Sequence, residues 1–232
     1  LTLTELAVAL KAPKSSLFPI VHTLEQRRYI MCDAGSGKYR LGLRTYILGA
    51  SCTSQSGFEP LINIMNSVTE STQETSQFGI LEGGNVLYVA KKDSPQAIRM
   101  ISWVGTKLPA NATAIGKALL SGLADEQIRD LYRDGLPKLT EHTISDMDLL
   151  LGQIEQIRCG EIATETEEST PQMRCFAVPI RQNGRVDAAL SISVPIFRYT
   201  DEKRVQICQC LREVQQQIEQ LVGLYNFELI KP

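Results

Sequence analysis

Short apolar stripes at three- and four-residue spacing open the chain, and this periodicity predicts two amphipathic helices near its start. Thr2 and Glu5 have the spacing of a capping box, which places the start of the first helix there. Proline does not continue a helix, so the helices are separated at Lys11-Ala12-Pro13. The predicted buried faces are Leu3, Leu6, Ala7 and Leu10 in the first helix and Leu17, Ile20, Val21 and Leu24 in the second. Two short helices joined by a tight turn are typical of a helix-turn-helix.

A β-hairpin is predicted directly after these helices. Residues 29–32 and 38–41 are strand-like, and the segment 33–37 between them contains two glycines among small residues. A basic hairpin after a helix-turn-helix is a wing. We expect its Lys38 and Arg40 to lie along a phosphate backbone.

The rest of the chain alternates hairpins with helices. Strands are predicted over 75–81, 86–91, 98–104, 173–181 and 186–194, with hairpin turns at 82–85 and 182–185. A helix is predicted over 43–54, and Gly57 and Pro60 separate it from a second helix that ends near Thr72. Further helices are predicted over 113–120, 125–133 and 146–158. Asp201 is expected to cap a long last helix whose apolar stripe is Val205, Cys208, Leu211, Val214, Ile218, Leu221 and Tyr225. This order indicates the α+β class.

Composition narrows the classes of protein. The chain has 232 residues, of which 43% are hydrophobic and 22% charged, and this excludes disordered and low-complexity proteins. No apolar run approaches the ~18–20 residues that span a bilayer and the chain opens without a leader, so we expect a soluble, cytoplasmic protein without a membrane partner. Six cysteines include no C-x-x-C pair, so neither a disulfide framework nor a metal site is predicted, and no cofactor is expected.

Charge is distributed unevenly along the chain. Residues 1–44 carry a net charge of +4, and the remaining residues carry −6. A basic segment joined to a larger acidic one suits a nucleic-acid-binding part attached to a second part, although a solvated basic surface is equally compatible.

The exposed side of the second helix carries the candidate DNA contacts Lys14, Ser15, Ser16, Phe18 and His22. Hydroxyls and a lysine at a helix start suit phosphate contacts, and a later turn suits base edges in the major groove. The alternative is that Ser15 only caps the helix and that His22 is an ordinary surface histidine. Pro19 falls in the tolerant first turn if the helix begins near Ser15. Because two helices and a hairpin make an incomplete core, we also expect a further helix upstream of Leu1.

Several short motifs occur in order along the chain: PKSS at 13–16, TLE at 23–25, YRLG at 39–42, LPANATAIGKA at 108–118, GLP at 135–137, HTI at 142–144, RC at 174–175 and ALSIS at 189–193. Together they resemble the IclR family of bacterial transcriptional regulators, and the resemblance runs from Leu1 to about Val222. It implies a winged helix-turn-helix over 1–42, a linker helix over 43–57 and a GAF-like effector-binding domain with an antiparallel sheet over 58–232. It also implies a homodimer or tetramer on a palindromic double-stranded DNA operator, with repression as the commoner outcome.

The resemblance further implies an effector pocket lined by Met100, Leu108, Ala114, Ile115, Glu165, Met173, Cys175, Ser191 and Ser193. The residues themselves agree in part, because Ser191 and Ser193 lie two apart on a strand and face one side. Small residues over 112–116 leave backbone N–H groups free for a carboxylate, and the methionines offer an adaptable apolar wall. Such a pocket suits a small organic or sugar acid. Alternatively, the serines form hydrogen bonds within the sheet.

Some positions depart from the family's usual residues. Asn111 stands where histidine is usual, and Glu165 where aspartate is usual. Phe18 and Pro19 replace histidine and arginine in the recognition helix, which removes one expected DNA contact. Glu161 replaces a common glycine–aromatic start to the strand before Glu165.

Two other functions remain open from the residues alone. Cys175 with His142, or Glu165 with Glu167 and Glu168, contain nucleophilic and acid–base groups, but no nucleophile elbow, phosphate-cradling loop or paired metal ligands accompany them. A solvated acidic strand edge and a buried apolar cysteine are the simpler interpretation, so no catalytic residue is predicted. The third possibility is a small-molecule sensor that does not bind DNA.

Overall fold

The computed structural model describes residues 1–55 and 58–225, and the chain divides into two compact units, Leu1–Glu59 and Pro60–Pro232. The predicted break at Gly57, the side chain of Tyr225 and residues 226–232 lie outside what is described. Within the described residues, no helix is both long and apolar enough to cross a membrane.

The first unit contains three helices and one hairpin. Its elements are α1 (Leu3–Ala9), α2 (Lys14–Gln26), β1 (Ile30–Cys32), β2 (Tyr39–Leu41) and α3 (Leu43–Gln55). The capping box is confirmed, because the Thr2 backbone N–H donates to Glu5 Oε2 at 2.7 Å and the Glu5 N–H donates to Thr2 Oγ1 at 3.3 Å. The hairpin is confirmed as an antiparallel pair in which Met31 lies opposite Arg40.

The predicted apolar faces of α1 and α2 are wrong at three positions. Leu17 and Val21 are buried, but Ile20 is 58% exposed and Leu24 is 38% exposed. Among the described elements, α1 and β1 are those packed most closely on α2, and they cover only the side that carries Leu17 and Val21. Leu10 is also exposed, at the C-cap position that follows α1.

Pro19 lies in the interior of α2, so the expectation that it falls in the first turn is wrong. The helix begins at Lys14, with Pro13 as its N-cap, and Pro19 is its sixth residue. A proline at that depth lacks the N–H that would bond to the carbonyl of Ser15. One turn later, Thr23 Oγ1 donates to the carbonyl of Pro19 at 2.7 Å.

The second unit is built on a six-stranded antiparallel sheet. Its strands are β3 (Thr75–Glu82), β4 (Asn85–Lys92), β5 (Lys107–Pro109), β6 (Ala163–Thr166), β7 (Met173–Gln182) and β8 (Arg185–Pro195), in the order β5-β4-β3-β8-β7-β6. The helices are α4 (Phe58–Thr72), α5 (Ala114–Leu120), α6 (Asp125–Leu131), α7 (Met147–Arg158) and α8 (Asp201–Tyr225). These observations confirm an antiparallel α+β domain.

The two faces of the sheet are covered by different helices. Ser76 Oγ donates to the carbonyl of Met65 in α4, whereas the next residue along β3, Gln77, points to the other face. That second face packs against α5, and apolar residues of α5, α7, β4 and β7 form one continuous core. α8 packs along β7 and β8 through Ile207, Leu211, Val214 and Ile218.

The strand predicted over 98–104 does not form. That segment is a loop, and the edge strand is β5, which begins at Lys107. The backbone ladder to β4 starts only at Gly105, whose N–H donates to the Tyr88 carbonyl at 2.7 Å. Met100 faces inward, but Ile101 and Trp103 are exposed, the latter by 71%.

The hairpins and the last helix follow the sequence more closely. Asn183 and Gly184 both have positive φ, as the Asn-Gly turn between β7 and β8 predicts. α8 begins at Asp201, but the capping side chain belongs to the preceding residue, because Thr200 Oγ1 accepts from the Lys203 N–H at 3.1 Å. Val205 is exposed and Ile207 takes its place in the buried stripe.

Candidate functional site

A small cavity of about 10 Å³ lies between the sheet and the start of α5. Strands β3, β4, β6, β7 and β8 all contribute to it, together with the loop that follows β4. Its lining residues are Gln77, Tyr88, Met100, Thr113, Ala114, Ile115, Glu165, Ser169, Cys175, Ser191 and Ser193.

Strand register brings the polar groups of this cavity together. Cys175 lies opposite Ser193 on one side and opposite Glu165 on the other, while Ser191 lies opposite Gln77. Residues directly opposite one another in an antiparallel sheet share a face, so these side chains converge although they are up to 116 residues apart in the chain.

A chain of hydrogen bonds crosses the floor of the cavity. Cys175 Sγ donates to Ser193 Oγ at 3.3 Å, and Ser193 Oγ donates to Gln77 Oε1 at 3.1 Å. Gln77 Nε2 in turn donates to Ser102 Oγ at 2.6 Å. All four side chains are buried. Ser193 therefore forms hydrogen bonds within the sheet, which is the alternative given above for the two serines.

Ser191 differs from its neighbour. Its Oγ is buried and has no hydrogen-bond partner among the described residues, although it lines the same cavity. An unpaired buried hydroxyl costs about 1–3 kcal/mol of stability. The hydroxyl of Ser191 is therefore a group that a ligand in this cavity would satisfy.

Glu165 supplies a buried carboxyl group to the cavity wall. Its Oε2 accepts the Glu168 backbone N–H at 2.8 Å, and its Oε1 accepts the Ser169 hydroxyl at 3.2 Å. Burial raises the pKa of this carboxyl, while the neighbouring Cys175 thiol and the Glu168 N–H act in the opposite direction. Burial and the adjacent charge of Glu165 raise the pKa of Cys175 well above its usual value, which leaves an uncharged thiol.

A buried ion pair holds the segment next to Glu165, and no expectation from the sequence included it. Lys117 is fully buried in α5, and its Nζ lies 2.5 Å from Glu168 Oε1. The solvated acidic strand edge expected for these glutamates is wrong at Glu165 and Glu168, both of which are buried. A lysine within the apolar run 114–120 was the available signal, because a buried lysine requires a carboxylate partner.

The start of α5 offers fewer free amides than the sequence suggested. Thr113 caps the helix, and its Oγ1 accepts the Gly116 N–H at 3.0 Å. Gly116 itself permits the close packing here, because a Cβ at this position would lie 2.2 Å from the Ala110 carbonyl oxygen. Asn111 lies beside this turn and donates to the carbonyls of Pro137 and Ile144, so it holds the 137–144 loop rather than lining the cavity.

Most of the expected pocket residues meet in the cavity. Met100, Ala114, Ile115, Glu165, Cys175, Ser191 and Ser193 line it. Leu108 and Met173 do not line it. Leu108 packs against the apolar core, and Met173 is the first residue of β7, opposite Pro195. Four further lining residues carry no sequence pattern that predicts them: Gln77, Tyr88, Thr113 and Ser169. Gln77 and Tyr88 reach the cavity through strand register, Thr113 through the α5 cap and Ser169 from the segment between β6 and β7.

The candidate DNA contacts in the first unit are all on its surface. Lys14, Ser15, Ser16, Phe18, His22, Lys38 and Arg40 are exposed. Phe18 and His22 stack with ring centroids 5.6 Å apart, and Gln26 contacts His22 one turn later. Ser15 does not cap α2, because the cap residue is Pro13 and no side chain bonds to the helix start. Asp33 closes the hairpin turn by accepting from the Ser36 backbone N–H and hydroxyl, so Lys38 and Arg40 follow a fixed turn.

Residues 58–220 match the family model described as the C-terminal part of the bacterial transcriptional regulator IclR. The chain belongs to the IclR family. Among IclR-family relatives, it is 29% identical over 229 residues to the HTH-type transcriptional regulator KdgR of Escherichia coli, covering 97% of this chain and 87% of KdgR. It is 27% identical over 226 residues to the HTH-type transcriptional repressor AllR of Escherichia coli, covering 96% of this chain and 83% of AllR.

Solved structures of the IclR family have the same fold. An IclR homologue from Microbacterium hydrocarbonoxydans, solved in complex with 4-hydroxybenzoate, superposes with a TM-score of 0.78. The match covers 95% of this chain and 90% of that one, at 22% sequence identity. Members of the IclR family are transcriptional regulators and not enzymes, so this protein is a ligand-responsive transcriptional regulator.

Proposed function

We propose that the protein is a repressor of a catabolic operon that is released from its operator by a small organic or sugar acid. In this proposal residues 1–42 form a winged helix-turn-helix, 43–57 a linker helix and 58–232 a GAF-like effector domain. The unpaired hydroxyl of Ser191 in a cavity that also holds Glu165 is the observation that carries the effector part.

The first unit has the features that a duplex reader needs. α1 and α2 are separated by a tight turn, and the β1–β2 hairpin follows them with Lys38 and Arg40 exposed. Lys14, Ser15 and Ser16 occupy the exposed first turn of α2, where hydroxyls and a positive charge suit a phosphate. Phe18 and His22 form one stacked surface a turn further on, in position for base edges of a palindromic double-stranded operator.

The cavity favours an acid that also carries a hydroxyl group. Glu165 with its raised pKa donates a proton to a ligand oxygen when neutral and accepts from a ligand hydroxyl when charged. Ser191 adds a free hydroxyl, while Tyr88, Met100 and Ile115 provide an apolar wall. The complex of the Microbacterium homologue with 4-hydroxybenzoate, a hydroxylated acid, agrees with this class.

The size of the cavity couples ligand binding to movement. The cavity volume of about 10 Å³ is far below the ~300–1,000 Å³ of typical ligand sites. Binding therefore requires Met100 and its loop to move outward, and the effector selects that expanded state. In a homodimer or tetramer, this change alters the spacing of the two DNA-reading units, and a repressor then leaves its palindrome.

The test uses the full-length protein and duplex fragments that tile the promoters of genes flanking its own gene. We expect one palindromic fragment to bind specifically, with a loss of about tenfold or more in affinity when salt rises fourfold. One member of a panel of organic and sugar acids should release that fragment. Saturable binding of an acid without binding of any fragment would favour the sensor that does not bind DNA. Binding of neither would contradict the proposal as a whole.

A further inference from the structure

A second and larger cleft of about 410 Å³ lies at the β6 edge of the sheet, between α7 and α8. Arg174 and Phe176 of β7 line it, whereas Cys175 between them lines the effector cavity. Successive side chains on a strand point to opposite faces, so the sheet separates the two sites. Thr164 and Glu165 on β6 divide in the same way.

Three guanidinium groups converge on this cleft. Arg174 comes from β7, while Arg204 and Arg212 come from one side of α8, two helical turns apart. Within the part of the chain that the structure describes, none of the three has a carboxylate oxygen within 4.0 Å. Glu161 is the acidic residue among those that line the cleft. Positive charge therefore predominates there.

Arg174 is held in place without an ionic partner. Its guanidinium carbon lies 4.4 Å from the centre of the Tyr199 ring and 5.6 Å from that of Phe176, and the two rings are themselves stacked. Its Nε is buried and has no hydrogen-bond partner among the described residues. Arg198, only one residue from Tyr199, shows the usual alternative, because it forms two bonds to Glu74 at 2.8 and 2.9 Å.

The thiol of Cys208 lies between the two arginines of α8 and responds to all three charges. Burial raises the pKa of Cys208, and the positive charges of Arg204, Arg212 and Arg174 act in the opposite direction, in that order. The three charges thus act on one point in the cleft. Gln153 and Gln156 of α7 add amide donors on the opposite wall.

We propose that this cleft is a binding site for a small multivalent anion, a phosphate-bearing or polycarboxylate metabolite, distinct from the effector cavity. Arginine presents several N–H donors in a planar fork that matches phosphate and carboxylate oxygens. Arg174, preorganised on Tyr199, binds one end of the anion through its guanidinium group. Arg204 and Arg212 bind the rest, and Gln153 or Gln156 completes the set of donors.

Calorimetric titration of the full chain tests this site, with inorganic pyrophosphate and citrate as separate probes at constant ionic strength. We expect saturable binding of at least one probe by the wild-type protein. Arg174→Gln, and separately the double variant Arg204→Gln/Arg212→Gln, should each weaken binding by about tenfold or more, since each removes charge-assisted hydrogen bonds. Binding of pyrophosphate alone would identify the natural ligand as a phosphate compound, and binding of citrate alone as a polycarboxylate.

Arg133→Gln is the matched control, because Arg133 is an exposed arginine that does not line the cleft. The affinity of Arg133→Gln for the anion probe should stay within about twofold of wild type. A loss as large as that of the cleft variants would show that the overall charge of the protein, and not the cleft, binds the anion. Arg204 and Arg212 are exposed on α8, so their variant should fold even if Arg174→Gln does not. Failure of both probes to bind, unchanged binding in the double variant, or a change in oligomeric state instead of affinity would each overturn the proposal. None of these outcomes bears on the effector cavity.

Discussion

Lys117 Nζ and Glu168 Oε1 lie 2.5 Å apart, and the lysine side chain is completely shielded from solvent. The backbone carbonyl of Glu168 accepts a hydrogen bond from the Thr143 hydroxyl at 2.6 Å, and the Glu168 N–H donates to Glu165 Oε2. The pair therefore connects α5, the 137–144 loop and the β6 segment that bears the cavity carboxyl. Because both charges are out of water, each depends on the other.

Removal of one partner of this pair should be strongly destabilising. We expect Lys117→Met or Glu168→Met to lower the free energy of unfolding by about 3–5 kcal/mol, because each leaves the partner's buried charge unpaired. The double variant Lys117→Met/Glu168→Met should recover much of that loss, since it removes both charges together. Urea unfolding followed by circular dichroism measures all three. A double variant as unstable as the sum of the singles would contradict a coupled pair.

Stability should depend on pH through Glu165. Its pKa is raised in the folded state, so between the usual glutamate pKa and the raised value the folded protein binds more protons than the unfolded chain. The contribution of Glu165 to stability is therefore complete at low pH and is lost as pH rises through the folded pKa. We expect the stability of Glu165→Gln relative to wild type to increase over that interval, as measured by denaturant unfolding at a series of pH values. A difference that stays constant with pH would show that this carboxyl does not titrate abnormally.

Ser191 and Ser193 should respond differently to the same substitution. Ser193→Ala breaks the bonds to Cys175 and Gln77 and should cost about 1 kcal/mol of unfolding free energy. Ser191→Ala removes an unpaired hydroxyl and should leave stability within about 0.5 kcal/mol of wild type or raise it. If the effector satisfies Ser191, that variant should lose about tenfold in effector affinity. A destabilised Ser191→Ala protein with unchanged effector binding would assign Ser191 to the fold alone.

The hairpin should contribute to DNA binding mainly through charge. Replacing Lys38 and Arg40 together by alanine should reduce the slope of log K against log salt by about 2, because each phosphate contact contributes about 0.9. Both side chains are exposed, so the fold should be unaffected. The measurement is fluorescence anisotropy on the selected operator at four salt concentrations. Arg133→Ala serves as the control, and an equal slope change in that variant would show that the loss of charge matters but its position does not.

Much of the fold follows from local sequence signals. The capping box at Thr2 and the Asn183-Gly184 turn each specify a structure within a few residues, and each forms as predicted. The helix predicted over 146–158 also forms, as α7. The signals fail where burial depends on neighbours that are distant in sequence. The segment 98–104 has the composition of a strand, but its backbone does not join the β4 ladder. Ile20 fits the apolar stripe of α2, but no described element covers it.

The cavity shows the same division. Ser191 and Ser193 could be predicted to share a face from their spacing, but only register reveals that Cys175 bonds one of them while the other has no partner. Gln77 enters the site from β3, which contains no motif of its own. Lys117 could have been recognised as a buried cation, but its partner Glu168 lies 51 residues away and depends on tertiary structure.

Trp103 is the single tryptophan of the chain, and it extends into solvent from the loop whose Met100 forms part of the cavity wall. The Lys91 ammonium lies 5.4 Å from the centre of its indole ring. Any displacement of this loop changes the distance between indole and ammonium and therefore the emission of the only strong native fluorophore. The indole is thus an intrinsic optical reporter of this loop. If the proposed effector moves the loop, its binding changes the emission intensity and wavelength of unlabelled protein.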